Sequence, residues 1–152
     1  MSAIPTGADL IAAERLRQVE VEGWTSAHDR EHGSRRIELA ADCYAGYSSQ
    51  WPWKPAQFKP KGRLHNLVVA GALYQAALDI ADPESYHARV VVQQRDAITA
   101  NIDALLTEVA EVLGQDPAIS RVKALCDEYA QNGPKGGLVM VETVRAAIED
   151  AS

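Results

Sequence analysis

The chain has two cysteines, two methionines and one phenylalanine in 152 residues. Cys43 and Cys126 lie far apart, each inside a helical pattern among apolar neighbours. That spacing excludes a disulfide-stapled scaffold and makes both thiols small core hydrophobes. No uncharged run reaches the roughly 20 residues that a membrane-spanning helix needs. The longest, residues 64–78, is interrupted by His65, Asn66 and Gln75 and reads as a buried helix. The first residues carry neither the basic start nor the apolar centre of an export signal, so the cytoplasm is the expected location. There is no internal repeat and no low-complexity stretch. A composition of 47% apolar and 24% charged residues is that of a globular protein, and the length suits one domain over residues 1–152 with a well-buried core.

Acid is missing from the middle of the chain. Between Asp42 and Asp79 there is no Asp or Glu, while Lys54, Lys59, Lys61 and Arg63 fall inside that window, giving it a charge of +4 in a chain of net charge −6. The acidic total argues against a generic grip on nucleic acid. A cationic island on an acidic body suits a small anion, although the same lysines would also simply solubilise a proline-rich loop.

The rest is helical pattern, and the fold class expected is all-α, a compact bundle of five to six helices. Residues 9–22 read as the first, with Ala8, Ile11, Ala12, Leu16 and Val19 inward, Asp9 as cap, Gly23 as stop and a charged outer face of Glu14, Arg15, Arg17, Glu20 and Glu22. Thr25 or Ser26 caps a short helical turn carrying His28, Asp29, Glu31 and His32. The two histidines, four apart, share one face, which is metal-ligand spacing but completes no known motif, so no metal is assigned. Residues 34–47 form the second long helix, with Ser34 as cap and Ile37, Ala40, Ala41, Tyr44 and Tyr47 inward. Glu38 and Asp42 share a face, and Arg35 and Arg36 are their expected partners.

A long loop separates the second long helix from the third. Pro52, Pro55 and Pro60 forbid regular helix over residues 48–62, and Trp51, Trp53 and Phe58 supply enough apolar area to pin the segment down. Residues 63–81 are apolar almost all round and mark the central helix, with Gly71 allowing a close backbone approach. Asp82 and Pro83 restart the chain as cap and first helical residue. From there a helix to Leu113 places Val91, Ile98, Leu105 and Val112 seven apart, a seam that favours antiparallel packing on another long helix or on a second copy, hence a homodimer. Val90, Val91 and Val92 also fit a short strand. Further helices are expected over residues 116–131 and 138–149.

Glu14-Arg15-Leu16-Arg17-Gln18 through Glu22-Gly23-Trp24-Thr25, then His28-Asp29, His32, Leu39-Ala40-Ala41, Trp51-Pro52-Trp53, Lys59-Pro60, Arg63, Leu67-Val68 and Ala70-Gly71-Ala72-Leu73 resemble a family of small proteins encoded by phages and prophages. The likeness covers about residues 9–82. It implies an accessory protein working in the host cytoplasm, in a setting where nucleotides and host defence are common targets.

Three functions follow. The first is capture of a small nucleotide-like anion, because a flat base stacks on an indole and phosphate takes charge-assisted bonds. Its candidate residues are Trp24, His28, His32, Arg35, Trp51, Trp53, Lys54, Lys59, Lys61, Arg63 and His65, and it needs no cofactor. The second is a MazG-like nucleoside triphosphate pyrophosphohydrolase, with magnesium held by Glu38, Asp42, Asp79 and Asp82. The third is an acidic interaction protein that covers a basic host surface.

Overall fold

The computed structural model describes residues 4–113, and every regular element among them is helical. The order is α1 (Gly7–Glu20), α2 (Ser26–His32), α3 (Ser34–Ala45), a single 3-10 turn (Pro55–Gln57), α4 (Arg63–Ile80) and α5 (Tyr86–Leu113). Cys126 and the two helices expected beyond residue 115 lie outside the described residues. No described helix is long and apolar enough to cross a membrane.

α4 is the axis. Eleven of its eighteen residues are buried, and α1, α2, α3 and α5 all pack against it. The buried set joins Leu10 and Ile11 of α1, Ile37, Ala40 and Ala41 of α3, Val68, Leu73 and Tyr74 of α4, and Val91, Ile98 and Ile102 of α5. Two of the seam residues of α5, Val91 and Ile98, are thus fully buried inside their own chain together with Ile102, and residues 90–92 are helix. Gly71 makes room for a side chain and not for a backbone. A Cβ placed there would stand 2.6 Å from Ile11 Cγ1, so Ile11 occupies the space the missing side chain leaves. Gly71→Ala is expected to destabilise by about 1–3 kcal/mol through overpacking, measured as a lower denaturation midpoint.

Several caps differ from the sequence reading. α1 starts two residues early because Thr6 and Asp9 form a capping box, so Asp9 is the third helical residue and not the cap. Gly33 takes the cap position of α3, which frees Ser34 to donate to Ala77 O of α4 at 2.9 Å. Asp82 and Pro83 belong to a turn, and Ser85 caps α5 by accepting from Ala88 N.

The inward face of α1 holds the largest departure. Ala8, Ala12 and Leu16, expected inside, are exposed, while Glu14, Arg15 and Gln18 are buried. The periodicity begun by Leu10 and Ile11 continues through polar residues, because the last turns of α1 border a cavity instead of the core.

Candidate functional site

A cavity of about 440 Å³ lies between the end of α1, α2, the proline-rich loop and the first turns of α4. Its floor is apolar, with Ile37 of α3 and Val69, Leu73 and Ala76 of α4. Trp24, Trp51, Trp53 and Tyr44 form aromatic walls, and Lys59, Lys61, Gln57 and His65 border the loop side.

The loop is held by its own chemistry. Trp51 Nε1 donates to Lys54 O, and Lys54 N donates to Gln57 Oε1, both at 3.1 Å. Lys59 N donates to the Tyr44 hydroxyl, and Asn66 clasps both backbone groups of Lys61. Edge-on ring contacts run from His28 through His32, Trp53 and Trp51, and Trp51 also meets Tyr44 and Phe58. Such pairs contribute about 0.5–1.5 kcal/mol each beyond area burial. A fifteen-residue loop whose one regular element is the 3-10 turn therefore becomes a fixed wall. Burial pushes the Tyr44 phenol up, so it stays a neutral hydrogen-bonding group at physiological pH.

Opposite the loop stand two buried ion-pair systems. Arg15 donates to Asp29 Oδ2 at 2.7 Å, to Asp79 Oδ2 at 3.2 Å and to Trp24 O at 3.0 Å. One guanidinium thus ties α1 to α2, to α4 and to the backbone of a cavity tryptophan. Arg17 grips both oxygens of Glu14, which is 1% exposed, and reaches Glu22 at 2.9 Å. The bond to Glu14, chiefly, holds the Arg17 pKa above its ordinary value. Gln18 Nε2 donates to Glu14 Oε1, an interaction that fixes the amide so that Oε1 faces away from the carboxylate. Gln18 Oε1 and Trp53 Nε1 are both buried without a protein partner among the described residues, and both side chains line the cavity.

Of the eleven residues singled out from the sequence, Trp24, His28, His32, Trp51, Trp53, Lys59, Lys61 and His65 line this cavity. Arg35, Lys54 and Arg63 do not. Arg35 sits at the start of α3, where its charge acts on Glu38. Lys54 and Arg63 are exposed, and the loop uses the Lys54 backbone instead of its ammonium group. The cavity is also less cationic than the acid-free window suggested, because Glu14, Glu22 and Asp29 border it. Glu14, Arg15 and Arg17, which the helical pattern puts on the outer face of α1, border the cavity instead, as does Gln18. The signal for them was the four-residue step from Leu10 and Ile11 to Glu14 and Arg15.

The four acids considered as magnesium ligands are each taken up by other protein groups. Asp42 accepts from Tyr74 at 2.5 Å and from Gln94, Glu38 meets His87, Asp79 takes Arg15, and Asp82 belongs to the turn before α5. Among the described residues no group of three or more His, Cys, Asp and Glu is placed to hold a metal ion.

Ser34, His87 and Glu38 align in the order of a nucleophile, a base and a carboxylate, with contacts of 2.8 and 3.2 Å. The Ser34 proton, however, goes to Ala77 O, so Ser34 Oγ accepts from His87 Nε2 and the trio works as a clasp between helices. The contact between His87 Nδ1 and Glu38 then needs a proton on one partner. Burial raises the Glu38 pKa above its ordinary 4.5, partly offset by His87, so the folded state holds that proton more tightly than the unfolded chain does. Its stabilising effect is present at low pH and is lost as pH rises through the raised value. The stability difference between wild type and Glu38→Gln, followed by urea titration from pH 4 upward, is expected to shift against wild type over that range.

No family model, curated protein or solved structure matches the chain. Residues from two separate parts of the chain meet at this one cavity, Glu14, Arg15, Trp24, His28 and His32 from the first and Trp51, Trp53 and Lys59 from the second.

Proposed function

We propose that the protein captures a small, planar, anionic ligand of the nucleotide class in this cavity. The observation that carries the reading is the convergence of all three tryptophans with Lys59 and Lys61 on one space of about 440 Å³, a size within the roughly 300–1,000 Å³ usual for small-molecule sites. The indoles offer flat apolar faces to a base, and the lysines offer charge-assisted bonds to phosphate. The buried Gln18 carbonyl and Trp53 N–H supply an acceptor and a donor that a base edge can satisfy, as buried polar groups normally are. Arg15 and Arg17 are engaged by acids, so they shape the wall and leave phosphate recognition to the loop.

In this reading the protein is a phage- or prophage-type accessory factor acting in the host cytoplasm. A homodimer through the far turns of α5, where Leu105, Leu106 and Val109 are only partly buried, belongs to the same proposal and is checked by light scattering.

Thermal melting with nucleoside phosphates and cyclic dinucleotides, with and without magnesium, tests the ligand class. A ligand of the folded state raises the midpoint by mass action. A magnesium-independent rise is the expected result. Pyrophosphate release that requires magnesium would favour the hydrolase, and no shift with any nucleotide would favour the interaction protein.

A further inference from the structure

The two histidines of α2 are arranged in a way that nucleotide capture alone does not require. His28 and His32 lie one helical turn apart, and their Nε2 atoms face each other at 3.3 Å. In the metal-free protein, one imidazole N–H can point at the other ring across this separation, and the same separation also suits two nitrogens that share one ion. With nitrogen about 2.0–2.1 Å from zinc, two ligands of one tetrahedral ion stand about 3.3 Å apart, whereas adjacent ligands of an octahedral ion at that bond length stand about 2.9 Å apart. The observed spacing matches the tetrahedral case.

The surroundings match as well. His28 Nδ1 faces Asp29 Oδ1 at 3.3 Å, the carboxylate contact that fixes the tautomer of a metal-binding imidazole and leaves Nε2 as the ligand atom. Asp29 is itself held by Arg15 at 2.7 Å. On the other side, Trp53 packs edge-on against His32 and limits its ring orientation. Both imidazoles line the cavity, so an ion between them would face its interior.

We propose that His28 and His32 form a two-imidazole site for a borderline divalent cation of the zinc class. No third protein ligand stands with them among the described residues. The remaining coordination positions fall to water or to an oxygen of the bound anion, and that last assignment rests on the nucleotide reading. Imidazole ligands select zinc, cobalt or nickel over magnesium, which prefers oxygen.

The test uses the full chain after chelator treatment, titrated calorimetrically with zinc and followed in parallel by visible absorption with cobalt. One saturable zinc site is expected, together with a tetrahedral cobalt spectrum. His28→Asn combined with His32→Asn should abolish both, while the metal-free protein stays folded with a melting midpoint lowered only by the lost ring contacts. Asp29→Asn should weaken zinc about 10–100-fold, as loss of an outer-shell carboxylate does. Absence of a saturable zinc site, or the same affinity in the double variant, would overturn the proposal. Nucleotide titrations in the presence of EDTA report on nucleotide capture by itself, so either idea can fail alone. With zinc present, nucleotide affinity should rise at least severalfold, and an unchanged value would remove the anion from the coordination sphere.

Discussion

Replacing Arg15 by methionine is expected to cost about 3–5 kcal/mol of stability, the range for breaking a buried ion pair by removing one partner. The side chains of Arg15 and Asp29 are only 10% and 7% exposed, so the abandoned carboxylate has little water to turn to. Asp79 and the carbonyl of Trp24 lose their partner at the same time. The measurement is a urea denaturation midpoint, and the control is the double variant Arg15→Met with Asp29→Asn. If the penalty comes from an uncompensated charge, the double variant should be more stable than Arg15→Met alone. Arg15→Lys should fall between, since a lysine keeps the charge but cannot bridge three acceptors on three elements. Any nucleotide binding should weaken with Arg15→Met as well, because α2 and Trp24 are positioned through this guanidinium.

The second large effect is expected on binding with little effect on the fold. Lys59 and Lys61 are exposed at the cavity rim, so Lys59→Glu with Lys61→Glu should leave the protein folded, with a loss of stability well below that of Arg15→Met. A hydrogen bond to a charged group contributes about 1.5–3 kcal/mol, so losing two and adding repulsion should lower nucleotide affinity by about a hundredfold or more. Isothermal titration of wild type and variant with one nucleotide reads this directly. Charge reversal at Lys54 or Arg63, which do not line the cavity, should leave affinity within about threefold, as weak long-range screened charges do. An equal loss at all four positions would point to a diffuse cationic surface instead of a site.

The helices were legible because apolar periodicity and turn residues declare them. Thr25 at the start of α2 does locally what its residue type suggests, whereas Gly46 in the left-handed region ends α3 early and leaves Tyr47, expected inward, 61% exposed. Ser34 and Asp9 misled by one and three positions, since Ser34 is drawn to Ala77 O of α4 and Asp9 serves as the third residue of the capping box begun by Thr6. The site was half legible. Tryptophans and prolines advertise a built loop, and a window without acid draws attention to its lysines. Hydrophobicity, however, says nothing about a helix face that turns from core to cavity along its length. Glu14 and Arg15 therefore read as solvent-facing residues, although their spacing from Leu10 and Ile11 puts them on the same side. Tertiary pairing was out of reach for the same reason: Glu38 had two arginines as sequence neighbours, yet it bonds His87 from another helix.

The occupancy of the cavity is tested most directly by the emission of its own walls. All three tryptophans of the chain line it, so steady-state indole fluorescence should change saturably when a nucleotide enters, with a midpoint equal to the calorimetric affinity. The Lys59→Glu, Lys61→Glu variant should show no such change over the same concentrations. Emission that stays constant up to millimolar nucleoside phosphates and cyclic dinucleotides would contradict the account.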